Sequence, residues 1–191
     1  MTTTRLEAFS DGVIAIIITI MVLELKPPHH NNWVAIKPLV PLFVSYLLSF
    51  IIIGIYWGNH HHLLHTVKSV NSKMIWANLH LLFWLSLIPF ATAWMGENNF
   101  NKIAVAVYAG LMNLCGTAYY ILLRVISSSH PHNATLLGPL QKQSKKGMIS
   151  LVAYTVAIPA AFIHPAISGV LFVLVAVLWW MPDRNIERIS V

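Results

Sequence analysis

The feature that most limits what this chain can become is a succession of apolar runs almost free of Asp, Glu, Lys and Arg. The first, Arg5 to Leu25, is long enough as a helix to span roughly 31 Å at about 1.5 Å per residue, the thickness of a bilayer core. Five more follow: Ile36 to Leu64, Lys73 to Trp94, Asn101 to Ile126, Lys146 to Phe162 and Ala166 to Trp180. Only 9% of the residues are charged and 57% are hydrophobic, whereas a water-soluble domain carries about 25% charged residues. A water-facing surface could not be covered, so lipid is the solvent. The reading is an all-α membrane protein with six transmembrane helices in one domain, residues 1–191, without an internal repeat or a soluble appendage.

Local signals set the expected boundaries. Thr4 and Glu7 have capping-box spacing at the start of the first helix, and Pro27-Pro28 stops it. The first run is read as retained rather than as a cleaved leader, because Glu24-Leu25-Lys26 follows it without small-residue cleavage chemistry. Gly96-Glu97-Asn98-Asn99 reads as a turn, Ser127 to Lys145 as a polar loop and His164-Pro165 as a tight connection, with Pro159 bending the fifth helix.

Charge placement predicts orientation. With the amino terminus inside, the inner segments hold Arg5, Lys68, Lys73, Arg124, Lys142, Lys145, Lys146, Arg184 and Arg188, and the outer ones hold Lys26, Lys37 and Lys102. That bias puts both termini in the cytoplasm. The net charge of +6 is therefore a topological signal, and nucleic acid is not an expected partner. Trp57, Trp76, Trp94, Trp179 and Trp180 fall near helix ends, as an interfacial belt does. Cys115, the single cysteine, sits in an apolar run as a packing residue.

Ionisable residues in a membrane helix usually face protein or water and find a partner. The first helix has Arg5 and Asp11 at its inner end, where snorkelling to water is the plain alternative. Ile16, Thr19, Ile20 and Leu23 share one helical face, and taken alone an aliphatic stripe signifies packing. His60, His61, His62 and His65 have some metal-ligand spacing, but neighbouring histidines on a helix diverge by about 100° and at most two converge. No metal and no cofactor is assigned; one of these histidines is expected to be buried and hydrogen-bonded, with pH sensing a further possibility. His80 is expected to meet a polar group on a neighbouring helix. The ends of the helices, not their middles, carry the charges, which argues against a coupled secondary transporter. Catalytic motifs are lacking, so an enzyme is not expected, and a histidine-ligated haem or metal protein ranks lower still.

Arg5-x-x-x-Phe9-Ser10-Asp11-Gly12-Val13, followed by an apolar helix, resembles the signature of the transmembrane protein 175 family, which includes the endolysosomal potassium channel and its bacterial relatives. Tyr56-Trp57-x-x-His60-His61-x-x-Leu64-His65 is similar to the end of that family's second helix, and Asn78-Leu79 through Pro89-Phe90 to its third. The resemblance covers essentially the whole chain and implies a bacterial inner-membrane homotetramer whose four first helices line a pore. It implies an aliphatic constriction at Ile16, with further pore layers at Thr19, Ile20 and Leu23, and a structural role for Arg5, Phe9, Ser10, Asp11 and Gly12. Trp57 or His61 would then hold the pore helix in place. The implied function is a potassium-permeable cation channel with modest preference for potassium over sodium, a proton-permeable pathway being the alternative. Potassium and other monovalent cations would be its permeant partners. The chain has no Thr-Val-Gly-Tyr-Gly segment for a carbonyl filter.

Overall fold

The computed structural model describes residues 2–28, 33–67, 69–129 and 134–180. Within them the elements are α1 (Thr3–Leu23), α2 (Trp33–Ile36), a 3-10 turn (Lys37–Leu39), α3 (Val40–His65), α4 (Ser72–Ser86), α5 (Ile88–Glu97), α6 (Lys102–Ser128), α7 (Ala134–Ile163) and α8 (Pro165–Trp180). Thr3–Leu23, Val34–His65, Ser72–Glu97, Lys102–Ser128 and Gly138–Ile163 are each long and apolar enough to cross a bilayer. The sixteen-residue α8 is the shorter sixth. The protein is thus an all-helical, multi-pass membrane protein of six helices.

Several boundaries differ from the sequence reading. Thr2, not Thr4, caps α1, its hydroxyl accepting from the Arg5 amide at 3.4 Å; Glu7 forms no capping box because its carboxylate is drawn to α3. The helix ends at Leu23, two residues before the expected Leu25. The third span is broken between Ser86 and Ile88, because Pro89 has no amide hydrogen and crowds the preceding turn. Leu87 turns back onto the Trp84 carbonyl at 3.2 Å, and α5 restarts with Pro89 in its first turn, where an amide is not needed.

The expected loop from Ser127 to Lys145 is mostly helix. α6 continues to Ser128 and α7 begins at Ala134. Polarity was misleading there: Gln141, Lys142, Gln143, Lys145 and Lys146 are good helix formers, and Leu140 and Gln143 are buried against the bundle. The α7–α8 connection is as tight as expected, with the His164 ring accepting from the Ala166 amide at 3.2 Å. Lys68, Arg184, Arg188, Met181-Pro182 and the loop histidines His29, His30, His130 and His132 lie outside the described residues.

α6 is the packing centre, in contact with α4, α5, α7 and α8. Its buried side includes Ala104, Ala109, Cys115 and Ala118, small residues that let helix backbones approach in lipid. α1 packs against α3, α4 and α5. α5 comes close to α3 at Gly96, which lies inside α5 rather than in the predicted turn. A Cβ built there would stand 2.6 Å from Leu42 Cα, a backbone atom that cannot rotate away. Gly96→Ala is expected to cost about 2–3 kcal/mol through overpacking, read as a lower melting temperature in detergent. Gly110→Ala, where a Cβ would meet nothing within 4 Å, is the neutral comparison.

Candidate functional site

α1 has two unlike faces. Leu6, Ser10, Ile14, Ile17 and Met21 are buried. On the opposite side Phe9, Gly12, Ile16, Thr19, Ile20 and Leu23 are uncovered, Ile16 at 58% exposure and Leu23 at 72%. The four residues nominated from sequence therefore share a largely uncovered face among the described residues, with Ile16 and Ile20 bordering an open groove against Pro89 and Phe90 of α5. A Cβ at Gly12 would meet nothing within 4 Å, so the uncovered face continues through the motif. The Thr19 hydroxyl donates to the Ile16 carbonyl at 2.9 Å, leaving its oxygen lone pairs outward.

Polar contacts tie the amino-terminal half of α1 to its neighbours. The Trp57 indole donates to Asp11 Oδ1 at 3.0 Å, one of the motif-to-α3 bonds open to the sequence reading. Ser10 turns instead to α4, accepting from Asn78 Nδ2 at 2.9 Å and donating to the Leu6 carbonyl at 2.8 Å. Asn78 Oδ1 lies 2.7 Å from His60 Nε2. With the imidazole donating, the chain runs in one sense from His60 through Asn78 and Ser10 to the backbone, so every bond has a donor and an acceptor. His60, Asn78 and Ser10 are all fully buried, so breaking one of these bonds is costly; His60 Nδ1 has no hydrogen-bond partner among the described residues. Thr3 adds a bond from its hydroxyl to the Val67 carbonyl at 3.1 Å.

Glu7 is a fourth tie. Its Oε1 lies 2.7 Å from His61 Nδ1 and 3.2 Å from His65 Nε2. His61 is thus held to α1, as expected, but through Glu7. The donor atoms of Glu7, His61 and His65 lie within 4.8 Å of one another, a spacing that can hold a metal ion. Arg5 and Phe9 are exposed on the protomer. His80 accepts from the Trp84 indole at 2.9 Å, a partner one turn along its own helix rather than on a neighbour.

The pairing of Glu7 with α3, and the link from Ser10 through Asn78 to His60, were not singled out by sequence. Asn78 is an amide in the buried stripe of an apolar helix, and that was the available signal; which residue it meets is a matter of how α1, α3 and α4 cross.

A family model described as "Endosomal/lysosomal potassium channel TMEM175" matches residues 5–89, the stretch that holds Glu7, Ser10, Asp11, Trp57, His60, His61, His65 and Asn78. A relative from Chryseobacterium sp. (strain P1-3), named a potassium channel, is 48% identical over 188 residues, 98% of this chain and 97% of its own. A second potassium channel by name, from Streptomyces collinus, is 35% identical over 126 residues, 62% of this chain and 61% of its own. Among solved structures, the crystal structure of a lysosomal potassium-selective channel TMEM175 homolog from Chamaesiphon minutus superposes with a TM-score of 0.81 at 32% identity. That match covers 92% of this chain and 95% of the other. Near-complete coverage by a close relative and a shared six-helix fold, joined to the first-helix motif and its bonding, lead to one assignment: the chain belongs to the TMEM175 family of potassium channels, an ion-channel family and not an enzyme family.

Proposed function

We propose that this protein is a potassium-permeable cation channel in a bacterial inner membrane, formed by four copies whose α1 helices turn their uncovered faces to a common axis. The observation that carries the reading is the division of α1. One face is packed and bonded into the protomer, and the other, with Ile16, Thr19, Ile20 and Leu23, is left bare. The names and the structure of the relatives described above support potassium as the permeant ion. The distribution of Lys and Arg supports cytoplasmic termini.

In this reading a ring of Ile16 side chains is the constriction and closes by excluding water. An ion passing an apolar ring gives up part of its hydration. Potassium holds its water less tightly than sodium and crosses more readily. The Thr19 layer, one turn away, offers oxygens whose hydrogens are already committed to the Ile16 carbonyl. It therefore presents lone pairs that favour cations and replace some of the lost water. Selectivity of this kind is modest beside that of a carbonyl cage.

The test is reconstitution in liposomes loaded with potassium. Flux should run down the gradient, without a coupling ion and without saturating like a carrier, and should be several-fold faster for potassium than for sodium. Covalent crosslinking in mild detergent should stop at four subunits. Saturable flux dependent on a second ion would instead indicate a secondary transporter.

A further inference from the structure

Glu7, His61 and His65 have a chemistry that anchoring alone does not require. A single tryptophan–carboxylate bond and the buried chain through Asn78 already fasten α1 to α3 and α4. Glu7 adds one carboxylate oxygen that is shared by two imidazoles on successive turns of α3, whose ring centroids are 4.4 Å apart. The three donor atoms fall within 4.8 Å of one another. A tetrahedral zinc ion with bonds of about 2.0–2.1 Å holds its ligand atoms roughly 3.3 Å apart. The two carboxylate–imidazole distances, 2.7 and 3.2 Å, are already within that spacing. Little movement is needed beyond rotation of the three side chains around the ion.

The set is nitrogen, nitrogen and carboxylate oxygen, the donor class of zinc and of other late first-row divalent ions, and poorly suited to magnesium or calcium. Partial exposure of His61 and His65, 39% and 40% for their side chains, leaves room for water as a fourth ligand. Both imidazoles must turn a ring-nitrogen lone pair to the metal, with any proton carried on the other ring nitrogen. We infer that Glu7, His61 and His65 form a zinc-class divalent metal site that clamps the amino-terminal end of α1 to the carboxy-terminal end of α3. The site lies on the backbone element that carries the proposed constriction, so its occupant would hold that helix in place; the binding claim itself stands apart from the channel reading.

The test is zinc binding by the full-length protein, purified without a histidine tag in detergent, followed by calorimetry and by melting temperature. Zinc should bind once per protomer at this site and raise the melting temperature by several degrees, while magnesium and calcium at millimolar concentration should not. His65→Ala removes the most exposed ligand and Glu7→Gln the bridging one. Each should weaken binding at least about 100-fold, the upper end of what loss of a mere outer-shell partner costs, and abolish the thermal shift. The quadruple variant of His29, His30, His130 and His132 to Ala should bind as the wild type does. No zinc-dependent shift in the wild type, a shift that survives His65→Ala and Glu7→Gln, or one lost in the quadruple variant would each overturn the site and leave a close carboxylate–imidazole contact. Potassium flux measured in metal-free liposomes reports on the channel separately, so either idea can fail alone.

Discussion

Replacing Ile16 by Asn is expected to bring sodium flux in liposomes close to potassium flux and to raise the total. Isoleucine gives a permeating ion nothing to coordinate, so the free energy of partial dehydration appears in full at the ring. A difference of about 1 kcal/mol between the two ions is worth roughly fivefold in their rates, which is the scale of preference an apolar ring supports. Asparagine brings an amide to the same place. It lets water stay in the constriction and supplies oxygens of its own, so sodium no longer meets the larger barrier. Ile16 is 58% exposed on the protomer, so the variant should fold and assemble like the wild type. Ile17→Asn, one residue along, is the control. That side chain is buried against the bundle, and its replacement should lower stability instead of changing ion preference. A potassium-to-sodium ratio unchanged in Ile16→Asn would move the constriction elsewhere.

Asn78→Leu should be the most damaging single change at the α1 anchorage, at about 2–4 kcal/mol. The shape is nearly conserved, so the loss is one of hydrogen bonds. His60 is fully buried and uses Nε2 on Asn78 Oδ1, and an orphaned buried donor costs about 1–3 kcal/mol. Ser10 loses the amide hydrogen it accepts while keeping its bond to the Leu6 carbonyl. The expected readouts are a lower melting temperature and a smaller assembled fraction after detergent extraction. Replacing both partners by apolar groups removes the orphan, so Asn78→Leu/His60→Leu should recover a large part of what the single change loses. That recovery is non-additivity of the kind a double-mutant cycle measures. Additive losses, or a harmless single variant, would mean that the chain through Asn78 does not stabilise the helix junction.

Medium, helix number and the residues that share a face of α1 were legible along the chain, because each depends on local quantities. Apolar length decides what can span a bilayer, proline decides where a helix cannot continue, and a residue spacing of three and four decides which side chains share a face. Ile16, Thr19, Ile20 and Leu23 could be grouped in that way, and they do share the uncovered side of α1. The α6–α7 connection was misjudged for a related reason: Gln141 to Lys146 are polar, and polarity distinguishes water from lipid but not loop from helix.

The partners of the polar residues were decided only by the tertiary structure. Glu7 has one spacing to Thr4 and another to α3, and the sequence offered the nearer, yet the carboxylate meets His61 and His65. Ser10 belongs to α4, and Asp11, one residue later, to α3. Successive residues on a helix point about 100° apart, so each reports on a different neighbour, and which neighbour stands there follows from helix crossings set by packing many residues away. A chain read in order therefore establishes which faces exist; their occupants depend on contacts between residues far apart in sequence, such as the separation of 68 between Ser10 and Asn78.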